Sequence, residues 1–205
     1  MVENDFLSED QKDCLQELMN ISYGSATAAI ADIIEKFAKL SIPKIATLSS
    51  ENFKDYIKNK VDEYHVCYLV SQSIDGKLSG ENLFLVDDKS LKNLALEFGL
   101  SEVEIDEDEL KDVVLEITNI ISSTTSSKLA ELIETDILFA PPHVEIIDSA
   151  QDLGDYYKVE YNHIIIISTL IEFEEQNINS ELVIMLKDDS ITYLRDALDK
   201  VMDEY

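Results

Sequence analysis

The sequence predicts an α+β fold: an internally duplicated, pseudo-two-fold unit with two long helices packed on mostly antiparallel strands. Three observations predict it. Apolar residues make up 45% of the 205 residues, enough for a sizeable core. Helical and strand-like apolar periods then recur in the same order twice. Each run reads as a long helix, a proline, a strand, a hairpin and a shorter helix. Finally, the strands of each hairpin are joined by tight turns, which permit only antiparallel pairing.

In the first half, Ser8 is a candidate N-cap, because Gln11 follows three residues later. Leu15, Leu18, Met19, Ala26, Ala29, Ile30, Ile33, Ile34 and Phe37 recur at helical spacing until Pro43 stops the pattern. Ile45–Leu48 reads as a short strand. Tyr64–Ser71 and Asn82–Val86 read as two strands with a turn near Asp75-Gly76, a strong hairpin signal. Leu91–Phe98 reads as the closing helix and Gly99 as its C-cap.

The second half repeats the plan. Asp108–Ile133 is a long helical pattern carrying Leu110, Val113, Val114, Ile117, Ile120 and Ile121, and Pro141 and Pro142 follow it. Val144–Ile147 reads as a short strand. Val159–Glu172 and Leu182–Leu186 read as strands with Gln176–Asn179 between them, and Ile191–Val201 closes as a helix. No Gly-, Pro- or Ser-rich linker parts the halves; only the acidic Ser101–Glu109 intervenes. One unit over 1–205 is therefore expected, made of similar halves of about 1–100 and 101–205.

The charge balance narrows the partners. The net charge is −27, from 43 acidic and 16 basic residues. Nothing in such a chain would neutralise nucleic-acid phosphates or favour an anionic membrane surface. It could steer a basic partner or simply keep the surface soluble. The N-terminal residues are acidic rather than basic and then apolar, unlike a signal peptide. The most apolar stretch, Ile164–Ile171, is too short to span a bilayer. A cytoplasmic protein without membrane insertion is expected, with Cys14 and Cys67 as buried free thiols. His65, His143 and His163 are scattered and read as structural or surface residues, so no metal site is expected. The absence of HExxH argues against a metal hydrolase.

One constellation carries chemistry. Asp13, Glu17 and Asn20 stand at i, i+4 and i+7, which on a helix spans an arc of roughly 60° and makes one polar stripe. Asp112, Glu116 and Asn119 repeat it. Twenty-two residues separate Asn20 from Pro43, and 22 separate Asn119 from Pro142, so all four positions recur 99 residues on. At average residue usage one such match has a chance on the order of 10⁻⁵ per starting position, so two in phase are not accidental. Glu and Asn on a lone helix face are ordinarily a solvated surface; the in-phase repeat with its proline reverses that reading. An asparagine mid-helix is also mildly unfavourable, which suggests a role other than stability. Gly24 and Ser123 lie one turn beyond each asparagine, and serve either to clear space for a partner or to let helices pack closely.

This pattern resembles the signature of the CheC, CheX and FliY phosphatases, and both copies match it without a departure. Two sites in a chain of this length look like CheC. CheX is similar but has one site, and FliY carries an extra C-terminal module, which this chain is expected to lack. The resemblance implies hydrolysis of the aspartyl-phosphate of a CheY-like chemotaxis response regulator. It implies that Asn20 and Asn119 orient the attacking water. Glu17 and Glu116 would pair with the partner's active-site lysine. Asp13 and Asp112 would help dock the helix, or are surface charge. Pro43 and Pro142 would be structural, each leading into a strand. No cofactor of its own is implied, since Mg²⁺ would sit in the regulator. The receptor deamidase CheD, bound by some members, is a further partner, and a monomer is expected. The alternative reading is a non-catalytic or weakly catalytic adaptor for the phosphorylated regulator, CheD or the flagellar switch. A purely structural domain fits least, given the doubled motif.

Overall fold

Helix α1 (Glu9–Ile34) begins where a capping box closes. The Gln11 N–H donates to Ser8 Oγ at 3.2 Å, and the Ser8 N–H donates back to Gln11 Oε1 at 2.9 Å. After α1 the computed structural model, which describes residues 6–34, 38–148, 163–173, 178 and 180–204, runs through β1 (Ala38–Leu40), β2 (Lys44–Ser49), α2 (Ser50–Tyr64), β3 (Cys67–Gly76), β4 (Gly80–Asp87) and α3 (Asp88–Glu97). The second half follows as α4 (Glu107–Leu132), β5 (Ile137–Phe139), β6 (His143–Ile147), β7 (His163–Phe173), β8 (Ser180–Leu186) and α5 (Asp188–Asp203). Phe37, residues 159–162 of the strand expected from Val159, and most of the turn expected at Gln176–Asn179 lie outside the described residues.

Every described strand pair is antiparallel. β4 and β8 lie side by side at the centre, flanked by β3 and β7. The halves exchange their outer strands: β1 and β2 pair with β7, while β5 and β6 pair with β3. Lys44 stands opposite Ser168, and its counterpart His143 stands opposite Ser71. Ser71 and Ser168 therefore occupy matching places, although they are 97 residues apart rather than 99. On the next strands Leu83 pairs with Val183, 100 residues on, and the pseudo-two-fold axis passes through that pair.

Alternation along the strands divides the core in two. Tyr68, Val70, Ile74, Phe84, Val86, Ile165, Ile167, Leu182 and Ile184 point to the layer of α1, α3, α4 and α5. Leu69, Leu83, Leu85, Ile166, Val183 and Met185 point to the opposite face, where Phe53, Ile57, Val61 and Tyr64 of α2 cover them. Full burial of one such side chain stabilises by about 1.5–3 kcal/mol. α1 and α4 pack against each other, and both turn a buried stripe to the sheet.

Several elements differ from the sequence reading. α2 was not expected; it starts at the Ser49 N-cap, which accepts from the Asn52 N–H at 3.3 Å. Two polar ties fix it to β8. Tyr56 donates to Glu181 Oε1 at 2.5 Å, and Lys60 Nζ lies 3.0 Å from Glu181 Oε2. Tyr64 consequently belongs to a helix end rather than to β3. The turn falls at residues 77–79, not at Asp75-Gly76, which still pair with Leu138 and Ile137 of β5. Gly76 is needed there for another reason: at φ 129° a Cβ would lie 2.7 Å from the Asp136 carbonyl oxygen. Gly99 does end α3, in a Schellman pair: Leu100 N–H to Ala95 O at 3.1 Å and Gly99 N–H to Leu96 O at 3.1 Å.

Candidate functional site

The apolar stripes of α1 and α4 face inward, so the opposite faces are set by elimination. On α1, Leu15, Leu18, Met19, Ser22, Tyr23 and Ala26 are buried, which leaves Asp13, Glu17 and Asn20 exposed. On α4, Leu110, Val113, Val114, Ile117, Ile121 and Ser122 are buried, which leaves Asp112, Glu116 and Asn119 exposed. All six motif side chains are therefore on the surface of two helices that pack together. Pro43 and Pro142 stand apart from them, each directly before a strand: β2 in the first half, β6 in the second. The Pro43 carbonyl accepts from Gln16 Nε2 of α1 at 3.1 Å.

The ground beneath the two asparagines is different. Under α4, Gln72 of β3 donates from Nε2 to Asn119 Oδ1 at 3.1 Å and to the Ala140 carbonyl at 3.1 Å. Its Oε1 accepts from the Ser122 hydroxyl. Directly across the ladder from Gln72 lies Asn82, which is fully buried and donates from Nδ2 to Ser126 Oγ at 3.1 Å. Two buried carboxamides thus tie α4 to the sheet. Sequence reasoning missed Gln72; the available signal was an amide two residues past the apolar run 66–70, on the same strand.

Under α1 there is no such set among the described residues. At the matching places stand Thr169 and Leu182 on the sheet, and Tyr23 where α4 has Ser122. The Tyr23 hydroxyl is buried without a hydrogen-bond partner among the described residues. Burial, with the Glu181 charge second, pushes it well above the ordinary tyrosine range. The hydroxyls of Ser22, Ser25 and Thr27 bond back to their own helix, to the carbonyls of Leu18, Ile21 and Tyr23. Asn20 makes no side-chain hydrogen bond to another described residue.

The remaining groups near the stripe are chemically quiet. Burial pushes the Cys14 thiol up, and it pushes Cys67 up to about 12, so neither favours a thiolate nucleophile. Gly24 is exposed, and a Cβ there would meet nothing within 4 Å, so close packing inside the chain does not explain that glycine. Among the described residues, no three His, Cys, Asp or Glu side chains gather as a metal site would need. No described helix is long and apolar enough to cross a membrane.

Comparison with known proteins points to chemotaxis phosphatases. A family model described as chemotaxis phosphatase CheX matches residues 68–151, a span that holds α4 and its motif. The flagellar motor switch phosphatase FliY of Bacillus subtilis (strain 168) is 23% identical over 162 residues, 74% of this chain. The chain is thus similar to the CheC/CheX/FliY chemotaxis phosphatases, through a model that matches less than half of its length. It spans 40% of the length of the Bacillus subtilis protein. The fold is that of Thermotoga maritima FliY: TM-score 0.76, 21% identity, covering 98% of this chain and 99% of that one. The FliM middle domain of Vibrio alginolyticus shares it at TM-score 0.65 and 13% identity, over 88% of this chain and 98% of that one. A CheX of Borrelia burgdorferi, solved with CheY, BeF3 and magnesium, matches at TM-score 0.50 and 14% identity, over 84% and 97%.

Proposed function

We propose that this chain hydrolyses the aspartyl-phosphate of a CheY-like chemotaxis response regulator, with Asn20 and Asn119 each serving one site. The observation that carries this reading is the pair of in-phase, exposed Asp-Glu-Asn stripes on adjacent helices of a chain similar to chemotaxis phosphatases. The chemistry asks little of the phosphatase. Water attacks phosphorus, the bond from phosphorus to the acyl oxygen breaks, and a carboxylate and inorganic phosphate leave. A carboxylate is a weak base with an ordinary pKa near 4, so its departure needs no general acid. What remains is to hold the water in line, since phosphoryl transfer depends on positioning and charge neutralisation.

A carboxamide suits that task. Its oxygen accepts a water proton, its N–H groups donate to a phosphoryl oxygen, and it brings no charge to repel the phosphoryl group. Glu17 and Glu116, one turn away, carry the charge and reach to pair with the partner's lysine, while Asp13 and Asp112 dock the helix. Magnesium belongs to the regulator; the Borrelia burgdorferi complex holds CheY with magnesium and BeF3, a combination consistent with this division. CheD is a further partner, and the chain acts as a cytoplasmic monomer.

The likeness to a FliM middle domain favours a second reading, an adaptor that binds the phosphorylated regulator without turnover. One assay separates the two. Phosphate loss from a purified phosphorylated regulator is followed with wild type and with Asn20→Ala/Asn119→Ala. Accelerated loss that the double variant abolishes, while it still binds and stays folded, supports the phosphatase. Tight binding by wild type without acceleration supports the adaptor.

A further inference from the structure

We propose that Gln72 is a positioning residue for the second site: it fixes which end of the Asn119 carboxamide faces the partner. The proposal deepens the phosphatase reading above and rests on it.

The orientation follows from a chain of forced choices. The Ala140 carbonyl can only accept, so the Gln72 atom at 3.1 Å from it must be Nε2. That turns Oε1 toward Ser122, whose hydroxyl donates to it. The second proton on Nε2 is then aimed at Asn119, and the atom 3.1 Å away must be an acceptor, Oδ1. Asn119 Nδ2 therefore faces outward, neither of its protons having a partner among the described residues, and one lone pair of Oδ1 remains. The donated bond also polarises the amide, which strengthens the outward N–H groups as donors. Gln72 is only 1% exposed, so it reaches the partner through Asn119 alone.

Among the described residues, the first site lacks this device. Thr169 stands at the place of Gln72 and Tyr23 at the place of Ser122. Asn20 is free to present either end of its amide and must be ordered when the partner binds. The two sites are thus unequal by construction, one preset and one flexible.

The test uses the full chain in an Asn20→Ala background, where only the second site works. Gln72→Leu is expected to lower kcat roughly three- to tenfold, the worth of one part-buried hydrogen bond, with KM held within about twofold. In an Asn119→Ala background the same substitution should cost no more than Asn119→Ala alone, because its effect passes through that side chain. Side-chain ¹⁵N relaxation on the free wild-type protein gives an independent readout that needs no variant. The Asn119 amide should be ordered and the Asn20 amide mobile, and Gln72→Leu should make the Asn119 amide as mobile as Asn20's. An unchanged kcat, an equal loss without Asn119, or equal mobility of the two wild-type amides overturns the proposal. If wild type gives no acceleration, the phosphatase reading falls and takes this role with it. Acceleration that Gln72→Leu leaves intact removes the role alone.

Discussion

Asn20 on α1 and Asn119 on α4 hold matching positions on two packed helices, yet the sheet treats them differently. α4 rests on two buried carboxamides, Gln72 and Asn82, which engage Asn119, Ser122 and Ser126. α1 rests on apolar packing and a tyrosine whose hydroxyl has no partner among the described residues. Duplication copied the surface stripe and left the layer beneath it to diverge. The residues of the surface stripe and those that hold them in place therefore answer to different constraints.

The largest effect expected is on the asparagines themselves. Replacing both by alanine should lower the dephosphorylation rate by about 10²–10³-fold, the range for losing an oriented group at the reacting atoms. Of the single variants, Asn119→Ala should remove the greater share, because its side chain is already held. Rates under single-turnover conditions measure this, and a larger loss from Asn20→Ala would invert the comparison. Next come the glutamates. Glu17→Gln and Glu116→Gln should each raise KM at their own site by roughly three- to tenfold with little change in kcat, as for a docking charge at an interface. A fall in kcat alone would place the glutamate in the chemical step instead.

The buried amides can be separated from each other by stability. Asn82→Ala leaves the Ser126 hydroxyl buried without its sheet partner and should cost about 1–3 kcal/mol, read as a lower denaturant midpoint at constant slope. Asn82 lies beside Gln72 on the same face and bonds Ser126 rather than Asn119, so it reports how much of α4's seating is structural.

How much of this was legible in the sequence depended on the range of the interaction. The long helices were, because a 3.6-residue period over 26 residues and a local capping pair such as Ser8 and Gln11 are written within a few positions. The motif stripes were legible for the same reason. α2 was not: among its described side chains Phe53, Ile57, Val61 and Tyr64 are the buried ones, with Tyr56 half-buried beside them, too narrow a stripe among charges to stand out. The three-residue strands β1 and β5 exist only through pairing with the other half. Gln72 was missed because its meaning lies in residues 47 and 68 positions away. The shift of the repeat from 99 to 97 to 100 residues likewise becomes visible only once the strands are in register.

The smallest effect expected belongs to Gly24, and it decides a question the sequence left open. A glycine inside a helix is destabilising by roughly 0.5–1 kcal/mol relative to alanine, because the unfolded chain has more freedom to lose. At Gly24 nothing among the described residues opposes a methyl group, so Gly24→Ala should stabilise α1 by about that amount, read from the thermal midpoint. If the glycine clears space for a partner lying along the stripe, the same methyl should weaken the first site, seen as a higher KM in an Asn119→Ala background. At the second site Ser123 already carries a side chain at the matching place, and its hydroxyl is turned back to the carbonyls of Asn119 and Ile120. Ser123→Ala should accordingly be tolerated. A stabilised Gly24→Ala with an unchanged KM would remove the clearance role and leave the two stripes differing only in what lies beneath them.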